Sequence, residues 1–272
     1  MTGLIKDPGF DINRTKEYKL SIQVSLNGFS FSVVHEEQKR ILALEKVDIK
    51  VSSDTFLGRH FEEWINGHEI LQKEFKNTVV RYNTESFTFV PSEFNDRDKQ
   101  QLNGTIALGD QEGKLFVDHY LQNAKGNVVF SVPTVFYDVV EKRFRDIKLK
   151  HTLEILDNEV LKLKGIKDYT LSVLFDESSF ILILYDNEKP LIISNYNYNY
   201  PADVVFYILS ALKMMEVNTG DTALIMAGNI AYKGELYTNL KKYFKNSRFL
   251  TTGYKYNPEL FKEPLYHYPV IF

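Results

Sequence analysis

The sequence predicts an α/β protein built as two tandem lobes, each of the order βββ-α-β-α-β, and three observations point there. The stretch YKLSIQVSLNGFSFSVVHEEQKRI from Tyr18 lies without a gap on YTLSVLFDESSFILILYDNEKPLI from Tyr169, with Tyr, Leu, Ser, Phe, Glu and Ile recurring in place. Both copies read as strand, tight turn, strand, tight turn, strand. Both are followed by helical and strand patterns in the order of crossover units. The division is expected at 150, with residues 1–150 as the first lobe and 151–272 as the second.

In the first copy Ile22, Val24 and Leu26 alternate with Ser21, Gln23 and Ser25, the period of a half-buried strand. Asn27-Gly28 supplies a turn able to take positive φ. Phe29, Phe31 and Val33 carry the second strand, HEEQK makes the second turn, and Ile41 to Ile49 mark the third strand. A helix is expected from about Phe56 to Phe75, containing the single tryptophan Trp64, and then a strand FTFVP ending at Pro91. NVVFSVP as a strand and TVFYDVVEKRF as a helix complete the half. Between them the segment near 95–126 is polar and glycine-punctuated, and is expected to be an insertion carrying a helix and exposed turns.

In the second copy DESS and DNEKP are the turns, and FILILY between them is apolar on both faces, as in a strand covered on each side. Pro201 and Asp203 open a helix from about Ala202 to Val217 that stops at NTG, with proline preset for the first turn and glycine for the exit. TALIMAG is a short buried strand, ELYTNLKKYF a helix with Leu236, Leu240, Tyr243 and Phe244 on one side, and SRFLTTG a last strand. The tail LYHYPVIF is aromatic to its end.

Composition bounds the function. The chain has 272 residues, 44% hydrophobic and 25% charged, enough for a large core. A net charge of −3, spread along the chain, gives no basic face for nucleic acid and no polybasic anchor. With no cysteine, thiolate metal sites, disulfides and cysteine nucleophiles are excluded. The longest apolar stretch, PADVVFYILSALKMM, is too short and interrupted for a membrane span, and a cytoplasmic protein is expected. The 20 Phe and 17 Tyr lack basic neighbours and read as core rather than as a base-stacking surface.

Two lobes of this order, with LSIQVSLNGFSFSVV, FVPSEF and LIMAGN in sequence, resemble the actin-like ATPase superfamily, whose lobes are ribonuclease H-like βββαβα units. Within it the chain resembles an uncharacterised bacterial family with an actin-like fold and, more distantly, the pilus-assembly actin-like proteins. The resemblance implies a first hairpin turn reading Asp-x-Gly-Ser/Thr, whose Asp organises magnesium and whose Gly lets backbone N–H groups approach phosphate. Here the Asp position is Ser25, the Gly position is Asn27, and Gly28 falls one place late. The second turn, Asp176-Glu177-Ser178, keeps an acid but places Ser178 where glycine is expected. The adenosine-binding strand ends in Ala227-Gly228, one glycine of two. Ser25, Asn27, Gly28, Asp176, Ser178 and Gly228 are therefore the residues this resemblance assigns to an interlobe cleft.

Each has a plainer reading beside that one: the Asn27-Gly28 turn as a hairpin, Asp176 as a turn residue bonding its own backbone, Gly228 as a strand exit. Six histidines are scattered without metal-helix spacing, and Asp96, Asp98, Asp110 and Glu112 fall in the polar insertion as solvated turns. No P-loop or nucleophile elbow is present. NYNYNYP alternates strictly, so an extended chain places Tyr196, Tyr198 and Tyr200 on one face, either as a frayed strand end or as a docking surface for a protein. The tail either packs back on a lobe or meets a partner.

The sequence thus leads to the expectation of a non-catalytic interaction scaffold with an unidentified protein partner, without cofactor, metal or catalytic residue, because phosphoryl transfer rests on positioned metal and donors and the first-lobe acid is missing. The alternative is an ATP-binding protein or weak magnesium-dependent ATPase that uses the cleft through Asp176 and Gly228.

Overall fold

The computed structural model describes residues 2–94, 100–144, 147–160, 167–187 and 189–272. Asp96, Asp98 and Glu188 lie outside the described residues; Asp110 and Glu112 are exposed in a turn.

The first lobe begins with β1 (Thr2–Lys6) and continues as an antiparallel meander of β2 (Lys19–Ser25), β3 (Gly28–His35) and β4 (Arg40–Asp48). Helix α1 (Asp54–Asn66) starts at Ser53, whose hydroxyl accepts the N–H of Thr55, and ends at Gly67, so it is shorter than the apolar pattern suggested. The next strand is β5 (Asn77–Tyr82), parallel to β2. Its short apolar run, interrupted by Arg81, had hidden it. FTFVP and NVVFSVP, which the sequence reading assigned to this sheet, belong elsewhere. They form β6 (Phe87–Pro91) and β8 (Gly126–Pro133) of a separate sheet in the order β6-β8-β7, with β7 at Lys114–Leu121 and helix α2 (Gln100–Leu108) beside it. The insertion is therefore larger than 95–126. Helix α3 (Thr134–Arg143) returns to pack on α1, and the two-residue strand β9 (Lys150–His151) closes the first sheet in the order β1-β4-β3-β2-β5-β9.

Helix α4 (Leu153–Val160) leads into the second lobe, where β10 (Tyr169–Phe175), β11 (Ser179–Tyr185) and β12 (Pro190–Asn197) repeat the meander. Then come α5 (Pro201–Met214), β13 (Thr222–Gly228), α6 (Glu235–Tyr243) and β14 (Ser247–Phe249), in a sheet ordered β12-β11-β10-β13-β14. Apart from β1, the two sheets have the same strand order and the same antiparallel and parallel pairings. On α6, Leu240 is buried and Phe244 just beyond its end is buried too, but Tyr243 is exposed.

The core follows the alternation. Phe29 and Phe31 of β3 meet Trp64 of α1 at ring-centre distances of 5.3 and 5.9 Å. The opposite face of the same sheet is covered by the C-terminal tail, in which Phe261, Leu265, Tyr268, Val270 and Ile271 pack on Val34, Ile41 and Leu44. Tail backbone joins the sheet as well: Ile41 N–H donates to Lys255 O (2.9 Å) and Lys255 N–H to Lys39 O (2.6 Å). Tyr266 stacks on Phe249 of the second lobe, with ring centres 3.9 Å apart. The tail thus ties the lobe it leaves to the lobe it covers.

The inserted sheet is fixed to the second lobe by one buried carboxylate. Asp157 of α4 accepts the N–H groups of Asn123 (3.0 Å) and Ala124 (2.9 Å) in the β7–β8 turn, and the hydroxyl of Tyr185 on β11. A carboxylate can be buried when its lone pairs are filled in this way.

Candidate functional site

Where the two lobes meet, a cleft of about 210 Å³ is lined by Ser25, Asn27, Gly28, Asp176 and Gly228, with the tail residues His267, Tyr268 and Pro269 at its side. Ser178, the sixth residue the resemblance assigned, is exposed and does not line it; its carbonyl accepts the N–H of Tyr198 (2.8 Å). The cleft forms because each lobe's first hairpin lies at the end of its first parallel strand pair, β2/β5 and β10/β13.

Each side chain has a defined engagement. The Ser25 hydroxyl accepts the N–H of Asn27 (3.2 Å) and donates to Gly28 O (3.3 Å), closing its own hairpin. Gly28 has φ +150°, and a Cβ there would stand 2.1 Å from Val47 O, so glycine is required by the close approach of β3 to β4. Gly228, at φ +85°, is held in the same way against Phe175 O, 2.1 Å from where a Cβ would be. The turn residues proper are Leu26 and Asn27, and positive φ falls on Gly28 alone.

Asp176 is the centre of the arrangement. Its Oδ1 accepts the Asn27 side-chain amide across the cleft (3.2 Å) and the N–H of Glu177 (2.8 Å). Its Oδ2 accepts the amide of Asn83 (3.0 Å), whose own Oδ1 accepts the Thr152 hydroxyl (2.8 Å). Two first-lobe amides therefore clasp one second-lobe carboxylate. Tyr198 donates its hydroxyl to Asp176 O (2.9 Å), and burial, aided by the charges of Asp176 and Glu177, pushes that phenol up.

Sequence reasoning missed Asn83, Thr152 and the tail. With β5 in register on β2 as β13 is on β10, Asn83 stands in the first lobe where Asn229 stands in the second: their N–H groups donate to Val24 O (2.8 Å) and to Phe175 O (2.9 Å). The cleft is lined by Asp48, Asp176 and Glu177 against Lys46, an acid-rich wall that repels a bare polyphosphate. At about 210 Å³ it lies below the roughly 300–1,000 Å³ typical of ligand pockets. Among the described residues no three His, Asp or Glu side chains group as a metal site.

Of the three tyrosines, Tyr196 stacks between Phe180 (5.3 Å) and Tyr207 (5.0 Å), and Tyr198 packs by Phe180. Tyr200 is 70% exposed. The common face breaks because β12 ends at Asn197, and Asp203 accepts the N–H groups of Asn199 and Tyr200 to begin α5. No described helix is long and apolar enough to cross a membrane.

The family described as "Protein of unknown function (DUF3822)" matches residues 7–247. No curated protein matches the sequence. Among solved structures, a Bacteroides thetaiotaomicron protein described as having an actin-like ATPase fold and unknown function aligns at TM-score 0.80, with 16% identity over 96% of this chain and 98% of that one. A PilM–PilN type IV pilus biogenesis complex aligns at TM-score 0.61, with 9% identity over 94% and 97% of the two chains. The fold is that of the actin-like ATPases.

Proposed function

The chain belongs to the DUF3822 family, and from that premise we propose that it is a non-catalytic actin-like protein acting as an interaction scaffold. The observation that carries this reading is the engagement of Asp176 by Asn27 and Asn83. The carboxylate that a nucleotide-binding relative would turn toward a metal is spent on joining the lobes, and the hydroxyl of Ser25 is turned into its own hairpin. Fixed lobes suit a protein whose work is to present a surface. A similar fold occurs in a protein complex, PilM with PilN, which supports partnering as the role.

The second reading, ATP with magnesium in the cleft, draws on Asp176 and Gly228 lining one cavity. It requires the clasp to open. Melting the protein with millimolar ATP and magnesium separates the two. A ligand at a hundred times its dissociation constant adds about 2.7 kcal/mol, which raises the Tm of a chain this size by roughly 5–10 °C. The scaffold reading expects no shift and background phosphate release. A shift abolished by Asp176→Ala would replace it with the nucleotide reading.

A further inference from the structure

A groove of about 410 Å³ runs between Phe87–Phe89 and Pro91 of β6 and the consecutive run Pro190–Asn195 of β12. Side chains of a strand alternate between its two faces, so a wall made of six successive residues is the edge of a strand and not a face of its sheet. Among the described residues both walls are edge strands, β6 pairing with β8 alone and β12 with β11 alone. Among the described residues no backbone hydrogen bond reaches the outer edge of β12 from Pro190 to Asn197.

Natural edges are guarded by charge, bulge or brevity. This one is eight residues long and reads Pro-Leu-Ile-Ile-Ser-Asn-Tyr-Asn; its proline and its one irregularity of pairing stand at its start, it has no charged side chain, and the residues lining the groove carry none either. The molecule itself shows what such an edge takes. β4, the strand at the matching place in the first lobe, is covered along its outer edge by the antiparallel strand β1. The walls of the groove are also set in place: Asp157 ties the turn of the inserted sheet to Tyr185 of β11, the strand beside β12. A pre-set slot between two unpaired strand edges avoids part of the ordering cost of binding.

We propose that this groove receives an extended, uncharged segment of a partner protein, which adds as a strand to β12 and is covered by β6. The backbone of the segment supplies the hydrogen bonds, and alternate apolar or β-branched side chains seat on Phe89 and Ile192. The proposal rests on the scaffold reading and names the surface that reading lacks.

The probe is a phage-displayed random decapeptide library selected on the purified full chain, with the winning peptides then synthesised. We expect peptides with alternating, uncharged apolar residues. Their affinity falls at least tenfold in Ser194→Lys or Thr88→Lys, on opposite walls, with unchanged circular dichroism and melting. It falls likewise when alternate peptide nitrogens are methylated. Hydrogen exchange on the unmodified chain, which needs no variant to fold, should show slowed amides in β12 and β6 on adding peptide. Peptides that ignore both substitutions, or protection confined elsewhere, would overturn the groove. So would a chain that sediments as a dimer with these amides already protected, since a second copy would then be the occupant. The Ser25–Asp176 cleft is apart from the groove, so failure here leaves the scaffold reading to the ATP melting experiment, and a nucleotide shift there removes that reading whatever the peptides do.

Discussion

The two lobes share a strand order and differ in what they bury. At matching register on the first and fourth strands, the first lobe has Gln23 and Arg81 where the second has Leu174 and Ala227. Arg81 is 3% exposed and bonds Glu154 of α4 through Nε (3.0 Å) and Nη2 (2.9 Å). The second lobe needs no such pair because Leu174, Ala227 and Ile181 make the same layer apolar and buried. The first lobe also wears more clothing: β1 on its edge, the tail on its face, and the inserted sheet beyond β5. A duplicated fold thus carries its polar interior on one side and its bare edge on the other.

The strongest test of that asymmetry makes the polar layer of the first lobe apolar, as it is in the second. Arg81→Met takes one of its cations from the largely buried Glu154, where Lys150 and His119 remain, and removing one member of a buried ion pair costs about 3–5 kcal/mol. Thermal melting should register a drop of roughly 10 °C or more. Arg81→Met combined with Glu154→Leu should recover most of it, since the remaining cation, Lys150, has a third of its side chain in solvent. A neutral single substitution would mean that the polar layer carries no stability.

Acid should divide the lobes next. His151 is fully buried in the first lobe; its Nε2–H donates to Thr84 O (3.0 Å) and its Nδ1 accepts the N–H of Leu153 (3.1 Å), so a second ring proton has no place to go. Burial, with His119 adding to it, pushes the ring from 6.5 down to about 3. The unfolded chain therefore takes up a proton below 6.5 that the folded chain refuses, and stability falls as pH drops from 6.5 toward 3. Burial pushes the Glu154 carboxyl up, but His119, Arg81 and Lys150 outweigh it and hold the group below the usual carboxylate range, so a further loss sets in below about 4.5. Between pH 6 and 4 the loss from His151 is on the order of 2–3 kcal/mol. In hydrogen exchange, amides of β5 and β9 should lose protection before those of β10 and β13. Equal loss in both lobes would remove His151 from the account.

These polar details explain what the sequence could and could not disclose. The meanders were legible because apolar residues alternate cleanly from Leu20 to Val34 and fill FILILY. Strand β5 was not, because its inward position is an arginine whose partner, Glu154, lies on an element far along the chain. FTFVP was rightly seen as a strand and wrongly placed, since pairing with β8 is decided by contacts that no local pattern records. At the cleft, the hairpins, Asp176 and Gly228 could be located by the repeat, whereas Asn83 and the tail could not be assigned until the fold brought them to Asp176 and the cleft wall.

The smallest expected effect concerns the joint itself. Asn27→Ala removes one hydrogen bond from a half-buried amide to the Asp176 carboxylate, while Asn83 and the Glu177 N–H continue to hold the acid. Water can reach the vacated site, so the cost is about 1 kcal/mol. The change should appear as faster exchange at the Ser25–Gly28 and Asp176–Ser179 turns, with β3 and β11 unaltered, because each lobe keeps its own core. Asn27→Asp should loosen the same turns further, since it sets a second carboxylate against Asp176. If either variant instead destabilised β3, Asn27 would belong to the first lobe's own fold and the clasp would rest on Asn83 alone. ATP with magnesium should still give no thermal shift in Asn27→Ala: opening the clasp restores neither an acid at Ser25 nor room in a cleft walled by Asp48 and Glu177.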